Sequence, residues 1–151
     1  MLDAGEPSGA RKDWMSVLAK APTDLLAARY AELGDEPEFD WLRVPEIGTV
    51  MVRGRAGGTG APFNLGEMTV TRCSLKLADG AVGHAYVPGR DRDHARMAAI
   101  CDALMLGARA DAVRGDVIEP LRSAYDAKRA ATAGQAEKTR VDFFTMVRGE
   151  G

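Results

Sequence analysis

Apolar positions along this chain recur first at helical spacing, then at strand spacing, then at helical spacing again. Over residues 8–20, Trp14, Val17 and Leu18 share one face and Ser8 is placed to cap, which predicts a helix. A second helix is predicted over 23–33. Thr23 can cap it, Asp24 suits the positive end of the helix dipole, and Leu26, Tyr30 and Leu33 form its stripe. Gly34 is a natural stop, and the acidic stretch 35–40 breaks the period. From Trp41 the period falls to two, with candidate strands Trp41–Val44, Thr49–Arg53, Glu67–Leu77 and Val82–Pro88. Asp79-Gly80 is a two-residue hairpin signal. Pairing across it sets Leu77 against Val82, Leu75 against His84 and Cys73 against Tyr86 on one mostly apolar face, with Arg72, Ser74 and Lys76 on the other. Upstream the apolar parity switches to Met68 and Val70, which calls for a β-bulge near Thr71–Arg72 or cover on both faces.

Residues 91–108 form the clearest helical pattern, capped by Asp91 or Asp93, with Met97, Ile100, Cys101 and Leu104 as its stripe. Asp102 lies off that stripe, so solvent or a partner is its expected neighbour. A further helical region covers 110–131, with Val113, Val117, Leu121 and Tyr125 on one face. Pro120 lacks an N–H and clashes with the carbonyl of Asp116, so a kink or break is expected there. After an Ala/Lys/Gln-rich stretch, Val141–Val147 has strand propensity and carries Phe143, Phe144 and Met146. So apolar an end must dock, either on its own sheet or on another chain by strand addition. The element order predicts an α+β fold in one domain, 1–151. An antiparallel sheet of about four strands has helices segregated before and after it, and 139–151 forms an extended C-terminal arm or strand.

Composition narrows the function classes. A formal net charge of −2 argues against a nucleic-acid footprint, and 6% aromatic residues argue against base-stacking platforms. No apolar run approaches the ~20 residues of a membrane span, and the N-terminus lacks a signal-peptide core, so the expectation is a cytoplasmic protein without membrane partners. Cys73 and Cys101 form no CxxC pair and read as reduced, buried thiols. With His84 and His94 they give no zinc spacing, so no metal is expected. On the hairpin pairing above, His84 is a hydrogen-bonded core histidine, whereas His94, in a charged first turn, reads as exposed.

The segment most open to function is the loop predicted between the second and third strands, Arg55 to Gly66, with glycines at 57, 58, 60 and 66. It is no P-loop, because no Lys follows the glycines. It is no dinucleotide fingerprint, because Phe63 stands where the third glycine belongs and a strand follows. What remains is an anion nest, with backbone donors from Gly57, Gly58 and Gly60 beside Arg53, Arg55 and Arg72. The plainer alternative, which the residues alone favour, is a long hairpin loop with solvated arginines. Arg53 and Arg55 share one side of a strand with Thr49 and Met51, while Val50 and Val52 face the core. An acid is expected between the two cations: Glu46, Glu67 or a ligand's phosphate. Asn64 fits an Asx turn, Glu67 fits an ion pair better than a general base, and Gly89-Arg90-Asp91 reads as a turn and cap. No Ser/His/Asp or Cys/His triad can be assembled, so catalysis by the chain alone is not expected.

Three runs of residues carry a family resemblance. They are R-x-P-E-x-G-x-V-M-V-R-G-R-x-G-G-T-G-x-P-F-N-L-G-E-x-T-V-T-R-C (Arg43 to Cys73), G-H-A-Y-V-x-G-R-D (Gly83 to Asp91) and V-D-F-F-T-M-V-R-G (Val141 to Gly149). With R-x-x-W-M (Arg11 to Met15), nearly the whole chain resembles the PhnG family, one component of the bacterial carbon–phosphorus lyase system. The resemblance implies an accessory protein, tightly bound to the I subunit of that system. It would work with the H, I and L subunits, in a core complex that also contains J, to displace adenine from ATP by a phosphonate. ATP is then a co-substrate of the complex, and no cofactor is bound by this chain alone. It also implies that Phe143, Phe144, Met146 and Arg148 meet a partner. Arg53, Arg55, Gly57, Gly58, Gly60, Asn64, Glu67 and Arg72 would then contact substrate phosphate or a neighbouring chain.

Overall fold

A computed structural model describes residues 9–56, 62–133 and 141–147, with the backbone alone described at 55–56, 62–64 and 141–147. Two helices, α1 (Gly9–Lys20) and α2 (Thr23–Ala31), precede a meander of β1 (Phe39–Ala56), β2 (Pro62–Leu77) and β3 (Val82–Pro88). Then come α3 (Arg92–Leu104), α4 (Ala110–Val113), a π-helical turn (Arg114–Ile118), α5 (Glu119–Ala133) and β4 (Val141–Val147). The sheet is antiparallel with strand order β3-β2-β1-β4. The fold is α+β, as the pattern predicts.

The strands divide differently from expectation. The predicted strands at Trp41 and Thr49 are one 18-residue strand, and the fourth strand is the C-terminal segment. The predicted twelve-residue loop shrinks as well. β1 runs through Arg55, paired with Pro62, so most of the glycine segment's flanks are sheet; Gly57, Gly58 and Gly60 lie outside the described residues. Backbone pairing can extend through residues of low strand propensity when a partner strand lies alongside, and pattern reading cannot see that partner.

The β2–β3 register also corrects the prediction. Leu77 N–H donates to the Ala81 carbonyl and Gly80 N–H to that of Leu77, each at 2.9 Å, with Gly80 at φ +94°. The connection is thus three residues, 78–80, with a left-handed glycine, rather than a two-residue turn. One residue of slip turns every side chain over. Cys73 now opposes Ala85, and Ser74 opposes His84. Gly83, Ala85 and Val87 face the helices, while His84 and Tyr86 stand exposed on the other side.

No pairing slip occurs at Thr71–Arg72. Instead β1 slips between Trp41 and Arg43 and between Arg43 and Glu46, and β2 slips between Asn64 and Gly66. Thr71, 0% exposed, faces the helices, while Val70, at 5%, and Val50, at 1%, are buried outside the main core cluster. Cover on both faces, rather than a bulge, explains the parity switch.

The main core lies between the sheet and α3, where ten residues of the helix are buried. A helix apolar all round needs neighbours all round. α1, α2 and the π turn supply them through Leu18, Leu26, Val117 and Ile118. Approach to the sheet is close: a Cβ at Gly83 would lie 2.0 Å from the Ala99 carbonyl oxygen. Asp91 caps α3, its carboxylate accepting from His94 N–H at 3.0 Å, and the preceding turn uses Gly89 at φ +96°. Thr23 does not cap α2; Pro22 holds that position, and the Thr23 hydroxyl bonds His94 Nδ1 at 2.9 Å. The predicted break at Pro120 is the π turn just before it, in which Glu119 N–H reaches back to Arg114 O. Ser8, the predicted cap of α1, lies outside the described residues.

Candidate functional site: the open sheet face and the arginine arm

Two polar clusters organise the molecule, and the first is internal. Asp102 is fully buried, against the expectation of solvent or a partner. Its carboxylate accepts from Arg11 Nε (3.1 Å), Arg11 Nη2 (2.8 Å), Trp14 Nε1 (2.7 Å) and the His84 backbone N–H (2.9 Å). Arg11 Nη2 also donates to the Val82 carbonyl at 2.8 Å. A buried charge is tolerable when paired and hydrogen-bonded, and four donors on two oxygens meet that condition. Arg11 and Trp14 stand three apart on α1 and so present one face, which gives R-x-x-W a structural reason. The signal available in the sequence was an Asp inside an otherwise apolar run, Ala98 to Leu104.

His94 is likewise internal, 3% exposed, not on the surface as expected. Its Nε2 lies 2.9 Å from the Leu18 carbonyl, which can only accept, so Nε2 carries a proton. Its Nδ1 meets the Thr23 hydroxyl, and the ring ties α3 to both N-terminal helices. Burial pushes the Cys73 and Cys101 thiols up to about 12, so both stay protonated. These groups are structural.

The second cluster lies on the sheet face away from the helices. Glu46 accepts from Arg43 Nη1 at 3.1 Å and lies 3.6 Å from Arg72 Nε, while Arg72 Nη1 donates to the Tyr86 hydroxyl at 3.3 Å. Glu46 therefore joins Arg43 and Arg72, rather than sitting between Arg53 and Arg55. Exposed His84 stands on the same face. Partial desolvation lowers its pKa from the ordinary value, with Asp102 opposing and Arg11 reinforcing the shift, so it adds no charge at neutral pH.

Apolar side chains are also left uncovered on the sheet: Leu42 and Val44 are 56% and 55% exposed, and Leu65 and Tyr86 follow at 44% and 38%. Leu42 and Val44 coincide with the slips in β1. β4 pairs with β1 only from Val50 to Ala56, so among the described residues the outer edge of β1 before Val50 has no strand partner. Bulges and Pro45 along that edge discourage strand addition, which leaves side-chain docking as its usable chemistry.

Beyond this face the strands continue as an arm. Arg53 pairs with Asn64 on one side and Phe144 on the other, and Arg55 with Pro62 and Asp142. Arg53 Nε is buried without a hydrogen-bond partner among the described residues. Arg72, which opposes Glu46, is seven positions down the arm from Arg53, roughly 23 Å at strand rise, so the three candidate arginines do not converge. Glu67 opposes Met51. Phe143, Phe144 and Met146 belong to β4, whose backbone pairs with β1 of the same chain; self-docking, not strand addition to a partner, satisfies that backbone here. The side chains of Arg55, Asn64, Phe143, Phe144 and Met146, and all of Arg148, lie outside the described residues.

Among the described residues no group of three His, Cys, Asp or Glu side chains could hold a metal ion, and no helix is long and apolar enough to cross a membrane. Among the described residues the site presents exposed apolar side chains and paired cations.

Comparison with known proteins assigns the chain. The family model described as phosphonate metabolism protein PhnG matches residues 9–149. The chain is 43% identical over 155 residues, covering 99% of each protein, to the alpha-D-ribose 1-methylphosphonate 5-triphosphate synthase subunit PhnG of Rhizobium meliloti (strain 1021). By both measures it belongs to the PhnG family of phosphonate metabolism proteins.

Proposed function

We propose that this chain is an accessory subunit of a ribose phosphonate triphosphate synthase in the cytoplasm. It acts with the H, I and L subunits, in a core complex that also contains J. In the reaction a phosphonate oxygen bonds to the anomeric carbon of ATP's ribose as the bond to adenine breaks. The products are adenine and ribose 1-phosphonate 5-triphosphate. The observation that carries this reading is the end-to-end relation to a protein named as a subunit of such a synthase. The uncovered Leu42, Val44 and Tyr86 beside the Arg43–Glu46–Arg72 pairs fit an accessory role, because exposed apolar groups rimmed by charge suit a docking face. Arg53 and Arg55, at the end of the arm, are the residues we assign to substrate phosphate.

The test is reconstitution. Purified chain combined with the H, I and L subunits, ATP and methylphosphonate should release adenine, followed by chromatography. Leaving this chain out should stop release. Equal adenine release without it would overturn the proposal. A second reading, a scaffold without substrate contact, is favoured by the engagement of Arg72 with Glu46 and Tyr86.

A further inference from the structure

The end of α1, the corner at Pro22 and the length of α5 enclose a slot of about 290 Å³. Its floor is apolar, formed chiefly by Leu121, Ala124 and the Tyr125 ring, and its rim carries Lys20, Lys128 and Arg129. A second hollow of about 180 Å³ shares Lys20, Tyr125 and Arg129 and extends the slot along α1. The groove spans α5 from Leu121 to Thr132, roughly 16 Å at helical rise.

Charge makes this groove unusual in a chain of formal net charge −2. Asp13, in the second hollow, is already held by Arg122 at 2.6 Å. Lys20 lies over the Tyr125 ring, 5.8 Å from its centroid. Among the described residues no carboxylate pairs with Lys20, Lys128 or Arg129. Asp126 also lines the second hollow, but the first slot carries Lys20, Lys128 and Arg129 with no acidic residue in its lining. Such cations beside an apolar floor favour an occupant with one apolar face and acidic groups along its border. The apolar floor runs along α5 beside these cations, which suits an amphipathic segment better than a single phosphate.

Resting on the synthase reading, we propose that this groove receives an acidic amphipathic helix from another subunit of the synthase. The helix lays its apolar face on Leu121, Ala124 and Tyr125 and sets its carboxylates against Lys128 and Arg129. This surface is separate from the open sheet face.

The test uses the complex co-expressed with the H, I and L subunits. A photo-crosslinking residue at Ala124 should join this chain to an acidic segment of another subunit, located by mass spectrometry. Crosslinks confined to this chain, including its own 134–140, or to no polypeptide, would overturn the proposal. Lys128→Glu with Arg129→Glu should weaken assembly about tenfold at low salt, as expected for two reversed rim charges, with unchanged thermal melting. Undiminished assembly of that variant, alongside a wild-type chain that does assemble, defeats the groove alone. A wild-type chain that joins none of the subunits defeats the synthase reading and the groove with it.

Discussion

The helix-backed half of this sheet and its distal arm obey different rules. Near α3 the polar groups point inward and are satisfied: Asp102 has four donors, and His94 bridges Leu18 and Thr23. Along the arm Arg53 Nε is buried with no hydrogen-bond partner among the described residues, and on the neighbouring stretch of sheet Leu42, Val44 and Tyr86 are left uncovered. The first arrangement is what folding selects. The second leaves free energy to be gained on binding, because an unsatisfied donor and exposed apolar area both improve when something covers them. Mutations should therefore separate the halves, with stability lost in one and function lost in the other.

Asp102→Ala should have the largest effect on stability, about 3–5 kcal/mol by thermal unfolding, since it removes the carboxylate that balances the Arg11 charge and accepts from the Trp14 and His84 N–H groups. A change under ~1 kcal/mol would mean that the pair behaves as a solvent-screened one and that the network is not what fixes α1. Gly83→Ala should follow at about 1–3 kcal/mol, because its Cβ meets the Ala99 carbonyl, which is backbone and cannot rotate away.

The arm should respond in the opposite way. Arg53→Ala with Arg55→Ala should leave the thermal stability of the helix-backed half undiminished, since Arg53→Ala removes a buried donor that has no hydrogen-bond partner among the described residues. It should also abolish ribose phosphonate formation while the complex still assembles. Normal turnover would end the phosphate assignment and leave the scaffold reading. Deleting 140–151 removes a strand that pairs only with Val50–Ala56, so the helix-backed half should keep its cooperative unfolding. The truncated chain should still co-purify with its partners; its release would show that β4 serves the assembly after all.

The smallest effect is a probe of opening. With both thiols pushed up to about 12, native Cys73 and Cys101 at pH 9 hold only about one thiolate per thousand, and alkylation should be correspondingly slow, rising with pH. Fast labelling of the native chain would reveal that its helix-backed half opens readily.

Much of this was legible beforehand, for identifiable reasons. α3, its Asp91 cap and the break before Pro120 follow from local chemistry: a side-chain acceptor three residues before an N–H, and an imide that cannot donate. The hairpin register was not legible, because an Asp-Gly pair, favoured in two-residue turns, also fits a three-residue connection that ends on a left-handed glycine. Only the pairing of Leu77 with Ala81 decides between them. That single residue moved His84 from the predicted core to the open face. Asp102 and His94 were misplaced for a related reason. Periodicity on one helix says which side is apolar, but not whether other helices cover the remaining sides. Arg53 and Arg72 fall in strands as the pattern predicts, but Arg55, read as the start of the loop, lies in β1, and the separation of the three depends on a register that composition does not encode.

By itself, then, the sequence determined the helical and strand regions, the α+β order, the Asp91 cap, the break before Pro120, and the family membership carried by its long motifs. Those depend on contacts within a few residues, or on residue identity alone. Tertiary structure decided which polar groups are buried, where β1 ends, that β4 joins its own sheet, and which cations stand without a carboxylate beside α5. Each of these is settled by groups far apart in the chain, whose free energy of meeting appears only once the backbone has brought them together.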